Sequence, residues 1–243
     1  MFLLTNSILF AFQSIFISFG FLTLLTFFVS FITNSGSQAI LIITVLFNIL
    51  IIYLLNFFKK NLEINRLKFI YLSIMCWILL IIVSLLPLLE LLENKSFNEK
   101  FFFATSLITT TGFDLNNYIY KDELILKIWV ALIQCIGALY TILVFVMYFS
   151  SFLNKNNKIM VINKNNILLI NLLFLFYLIF FTIILKANKF DLIDGFSLSA
   201  SIFSSGGIRI NNSIYLDYNI NYFLIISFML FSLLFLPLFL VLK

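Results

Sequence analysis

Residues 99–122 read EKFFFATSLITTTGFDLNNYIYKD, and residues 194–217 read DGFSLSASIFSSGGIRINNSIYLD. A shift of 95 residues brings the two into register without a gap. Identities fall at Phe101/Phe196, Ser106/Ser201, Gly112/Gly207, Asn116/Asn211, Asn117/Asn212, Ile119/Ile214, Tyr120/Tyr215 and Asp122/Asp217, and acid meets acid at Glu99/Asp194. The same shift lays the apolar run 69–92 over 167–185 and the run 124–153 over 220–242. Chance similarity in a biased sequence would not also align the flanking runs, so the pattern predicts an internal duplication. Each unit is a span, a short re-entrant segment and a second span. Both units point the same way, because two spans separate their starts.

Outside the repeat the chain is equally apolar. Of 243 residues, 63% are hydrophobic and 10% charged, against about 45–50% and about 25% in a soluble domain. A hydrocarbon core needs roughly 20 apolar helical residues to cross it. Six runs meet that length: 8–32, 39–58, 69–92, 124–153, 167–185 and 220–242. Runs this continuous read as helices rather than barrel strands. The first run has no basic segment ahead of it and no small-residue cleavage pattern, so it reads as a span and not a cleaved signal. The predicted fold is an all-α polytopic membrane protein with six transmembrane helices and two re-entrant half-helices. It divides into two N-terminal spans (1–66), a first span–loop–span unit (67–155) and a second (156–243).

With no His, imidazole-based triads and the common zinc sites are excluded. Cys76 and Cys135 lie inside apolar runs without metal-ligand spacing. No nucleotide fingerprint, catalytic dyad or haem signature occurs, so an enzyme is not expected, and neither a bound cofactor nor a nucleic-acid partner. The expected environment is a lipid bilayer, the cell (inner) membrane. Placing the N-terminus in the cytoplasm puts Lys59, Lys60, Arg66, Lys68, Lys155, Lys158, Lys164 and Lys243 inside, with Glu63 the one acid there. The other side holds Glu90, Glu93, Glu99, Asp114, Asp122, Glu123, Asp191, Asp194 and Asp217, with seven basic residues among them, an acidic excess suited to gathering cations.

In each unit the middle segment opens with an acid, where a helix N-terminus carries positive dipole charge. It closes in small hydroxylated residues and glycine: Thr109, Thr110, Thr111, Gly112, and Ser204, Ser205, Gly206, Gly207. Either run alone reads as an ordinary turn between helices. At equivalent places in a duplicated unit, the two read as cation sites. Extended backbone after an inward half-helix offers carbonyls that replace a cation's hydration shell, and Gly112 and Gly207 supply freedom that a β-carbon forbids. Two residues past each glycine stand Asp114 and Arg209, read as the outer mouth, with Arg209 expected to pair with an acid because an unpaired guanidinium would repel cations. Lys127 reads as snorkelling to the interface, Gln134 and Asn171 as inter-helix hydrogen-bonding amides, and Gly20 and Gly137 as sites of close packing or incidental.

The span–FFFATSLITTTGF–span unit resembles the first pore domain of the Trk/Ktr/HKT superfamily of potassium transporters, specifically a TrkH-type membrane subunit. The DGFSLSASIFSSGGI unit resembles the second, and two spans ahead of the first unit are also a TrkH-type feature. The resemblance implies potassium as the transported ion, in some relatives with sodium. It implies filter strands at Gly112 and Gly207, and a cytoplasmic nucleotide-binding regulatory subunit as partner. Family members carry four such units, whereas this sequence holds two, and Gln134 and Cys135 stand where the family has glycines. The expectation is therefore a pore-forming subunit contributing two of four filter loops, completed by a second chain supplying the other two or by a homodimer. The alternative is a degenerate or truncated non-conducting membrane protein with a structural or assembly role.

Overall fold

The computed structural model describes residues 2–58, 66–113, 124–153, 164–188, 190–204 and 226. These form α1 (Phe2–Thr33), α2 (Gln38–Phe58), α3 (Arg66–Leu91), α4 (Phe97–Ile108), α5 (Leu124–Leu153), α6 (Lys164–Ala187) and α7 (Leu192–Phe203), with no strand among the described residues. Five of the helices (α1, α2, α3, α5 and α6) are long and apolar enough to cross a membrane. The sixth expected span, 220–242, lies outside the described residues apart from Ile226, as do Asp114, Ser205, Gly206, Gly207 and Arg209. The chain is a membrane-embedded helical protein. Its outward faces agree with this: Phe21, Phe28, Phe31, Tyr53, Tyr71 and Leu172 are large, apolar and exposed, a surface that suits lipid and not water.

One helix occupies the centre. In α5, 83% of the spanning stretch is buried, against 33% or less in the other four long helices. It packs against α1, α3, α4, α6 and α7. Trp129 of α5 is fully buried, stacks on Phe19 of α1 with centroids 5.6 Å apart, and donates its indole N–H to the Ser84 carbonyl of α3 at 3.2 Å. The Tyr140 hydroxyl donates to the Ser73 carbonyl, also on α3. Both bonds satisfy a polar tip in an apolar interior, where leaving it unpaired would cost about 1–3 kcal/mol. Between α1 and α2, the Gln13 amide donates to Asn56 Oδ1 at 2.8 Å.

At 12 residues each, α4 and α7 are roughly 18 Å long at about 1.5 Å per residue, too short to cross a 30 Å core. Their bounds differ by the same 95 residues at both ends. The backbone at their caps agrees as well, although Ser96 makes a side-chain capping bond and Asp191 makes none. The N-caps Ser96 and Asp191 have φ/ψ of −66°/155° and −63°/146°, and the C-caps Thr109 and Ser204 have −79°/−1° and −76°/−8°. Among described elements, α4 rests on α3 and α5, and α7 on α6 and α5. The central helix therefore touches both short helices.

Candidate functional site

The end of α4 is built by its own hydroxylated residues. Thr109 N–H donates to the Thr105 carbonyl (2.9 Å), Thr110 N–H to Leu107 (3.2 Å) and Thr111 N–H to Ser106 (3.1 Å). The last two bonds are the pair that defines a Schellman turn, in which the residue after the C-cap adopts the left-handed conformation. That residue is Thr110, with φ 57°. Glycine usually takes this place. A β-branched residue there costs about 1–2 kcal/mol, so the fold holds Thr110 against its preference. Side chains brace the turn: the Thr109 hydroxyl donates to Thr105 O at 2.8 Å, and the Thr111 hydroxyl lies 3.3 Å from Ser106 Oγ and 3.2 Å from Thr109 Oγ1. The carbonyls of Thr105, Ser106 and Leu107 are thus taken by the chain's own donors. Two residues on, Gly112 is left-handed too, at φ 69°. The expected backbone freedom at this glycine is used.

Gly137 seats this turn. A β-carbon placed on it would lie 2.4 Å from the Ile108 carbonyl oxygen and 2.9 Å from its carbon. Here α5 meets the last residue of α4 backbone to backbone, so this glycine is required and not incidental. By contrast, a β-carbon on Gly20 would meet its nearest neighbour, Asn48 Cβ, at an ordinary 3.8 Å.

The two acids equated by the repeat do different work. Glu99 closes a capping box: it accepts from Ser96 N–H at 2.9 Å while Ser96 Oγ accepts from Glu99 N–H at 3.4 Å. The bond from Ser96 N–H, and after it the one that the Ser96 hydroxyl donates to the same carboxylate oxygen at 2.9 Å, hold the Glu99 carboxyl below the usual carboxylate range. Asp194 instead forms an ion pair with Lys127 of α5 at 3.0 Å, both side chains nearly buried. Lys127 does not snorkel; it ties the second unit's short helix to the first unit's second span. Removing one partner strands the other charge, so Lys127→Met or Asp194→Leu should lower stability by about 3–5 kcal/mol. The double mutant should lose less than the sum, as thermal unfolding in detergent would measure. Additive losses would mean that the pair is not coupled.

Lys100 is buried and its ammonium donates to the Leu89 carbonyl at 2.8 Å, satisfying a C-terminal carbonyl of α3 that has no helical donor. Near it, a cavity of about 810 Å³ opens between the α1–α2 turn, the α3–α4 connection and the start of α5, with Glu90 and Glu93 on its wall. Gln134, one turn from Gly137, is fully buried, and neither end of its amide meets a donor or acceptor among the described residues; the same holds for Asn171 Oδ1. The inter-helix bonds expected of these two amides are absent there. No cluster of metal-ligating side chains occurs among the described residues.

No protein-family model and no curated protein matches this sequence.

Proposed function

We infer that this chain conducts a monovalent cation, potassium by its resemblance to TrkH-type subunits, as a pore-forming subunit that contributes two of four filter loops. The observation that carries this reading is the pair of twelve-residue helices with matching cap backbone conformations, 95 residues apart, both packed on one central span. In such an arrangement α4 and α7 are re-entrant half-helices, and the backbone after each lines the pore. The carbonyls of Thr110, Thr111 and Gly112, with those of Ser205, Gly206 and Gly207, would compensate for the water a cation sheds. Thr109 and Ser204 hold the start of each turn, and Asp114 and Arg209 form the outer mouth. With the N-terminus in the cytoplasm, the cavity bearing Glu90 and Glu93 faces outward and favours cation entry. The setting is the cell membrane, and the regulatory nucleotide-binding subunit follows from the resemblance alone. Conduction is passive, with no catalytic step. Rubidium-86 uptake by the native cell with and without this chain tests the reading. Uptake should fall on deletion and return with the wild-type gene. Unchanged uptake under potassium limitation would favour a structural role.

A further inference from the structure

Ahead of the duplicated units, the α1–α2 hairpin buries polar side chains along its seam. Thr23, Thr26 and Ser30 of α1 and Thr44 and Asn48 of α2 are fully buried. Two contacts fix how the helices face each other: Ser30 Oγ lies 3.2 Å from Ser37 Oγ, and a β-carbon on Gly20 would lie 3.8 Å from Asn48 Cβ. With about 3.6 residues per turn, Thr23 falls between Ser30 and Gly20 on that face of α1, and Thr44 between Ser37 and Asn48 on that of α2. The hydroxyl hydrogens are spent on each helix's own backbone, that of Thr23 on the Gly20 carbonyl at 2.8 Å and that of Thr44 on the Ile40 carbonyl at 2.7 Å. The lone pairs of both oxygens are left as acceptors. Among the described residues, neither Asn48 Oδ1 nor Nδ2 has a partner, whereas a buried polar group is ordinarily bonded to protein or to ordered water.

We propose that Asn48, Thr23 and Thr44 hold bound water inside the hairpin, at the blind end of a polar seam that starts at the cavity bearing Glu90 and Glu93. Ser35 and Ser37 line that cavity, and Ser30 joins them, its Oγ 2.7 Å from Ser35 Oγ. Ser30 and Gly20 are ten residues apart on α1, so Asn48 lies roughly 15 Å along the hairpin from the cavity end. That is about half of a hydrocarbon core about 30 Å thick. Beyond Asn48, the apolar side chains of Phe16, Ile51 and Leu55 are buried and close the seam. Water fits the free groups and a metal ion does not. Water donates to Asn48 Oδ1 and to the threonine oxygens and accepts from Asn48 Nδ2, whereas a cation would leave Nδ2 without an acceptor. Water thus enters the hairpin without crossing it, and the hairpin is no second ion path.

Radiolytic footprinting of the full chain in lipid nanodiscs, in water enriched in oxygen-18, tests this. Radicals made from bound water label the side chains beside it even where bulk solvent does not reach. Leu41 is fully buried and lies between Ser37 and Thr44 on the same face of α2, so it should take up the heavy oxygen. Phe16 and Leu55, beyond Asn48 and also buried, should stay unlabelled, although a phenyl ring is the more readily oxidised side chain. Asn48→Leu removes both free ends of the amide and should lose most of the Leu41 label. Thr44→Val keeps the shape and removes one acceptor; it should lose part of the label, and it serves where Asn48→Leu fails to fold, as thermal unfolding in detergent reports. Leu41 as unlabelled as Phe16 and Leu55 would mean a dry seam and overturn the proposal. Label on all three would remove the blind end, and an unchanged Leu41 label in whichever variant folds would remove the assignment to these side chains; either result overturns it as well.

Discussion

Gly137→Ala is expected to unseat α4 from α5 and to cause the largest structural loss of any single methyl addition in the described chain. The added carbon would sit 2.4 Å from the Ile108 carbonyl oxygen. That contact is to backbone, so no side-chain rotation relieves it; either helix must move by most of an ångström. Overpacking of this kind costs about 1–3 kcal/mol or more. The displacement also reaches the turn directly, because Ile108 is the last helical residue before Thr109, Thr110 and Thr111. Thermal unfolding in detergent should show Gly137→Ala well below wild type, and rubidium uptake should fall with it. Gly20→Ala is the control: its β-carbon meets an ordinary 3.8 Å contact, so stability should change by no more than about 0.5 kcal/mol. Equal behaviour of the two variants would refute the backbone contact.

Gly112→Val should abolish uptake while leaving the protein inserted. At φ 69° a β-carbon meets the following carbonyl, at a cost of about 1–2 kcal/mol for L-residues, and β-branched valine stands at the unfavourable extreme. The backbone would relax out of the left-handed region and turn the neighbouring carbonyls. If those carbonyls replace a hydration shell, each misdirected oxygen raises the barrier to passage; about 1.4 kcal/mol on that barrier is a tenfold loss, so a loss of about tenfold or more is expected. Thr110→Gly makes the contrast, because it relieves a left-handed β-branched residue and keeps the turn. It should be as stable as wild type or more so, and any change in its uptake should be much smaller. Gly112→Val with wild-type uptake and ion preference would remove the filter assignment in the first unit.

The five described spans were legible from hydropathy alone, because water-to-lipid transfer is summed over a run of residues and needs no knowledge of neighbours. The run 124–153 matches α5 end to end. The repeat places α4 and α7 at the same 95-residue spacing that the fold has, since caps and hydroxyl-rich ends are local signals carried by a few adjacent residues. Glu99 is an N-terminal acid in sequence and structure alike, and its reciprocal bond with Ser96 is legible in the Ser-Phe-Asn-Glu spacing of a capping box. What only the tertiary structure decided depends on residues far apart in the chain. Lys127 finds Asp194 across 67 positions, Gly137 meets Ile108 across a helix pair, and α5 is central because neighbours pack on all sides of it. Hydropathy ranks α5 with the other spans, since an apolar side chain is equally at home against lipid or protein. Which of the two it meets is settled by packing, and packing is also what makes one glycine indispensable and another replaceable.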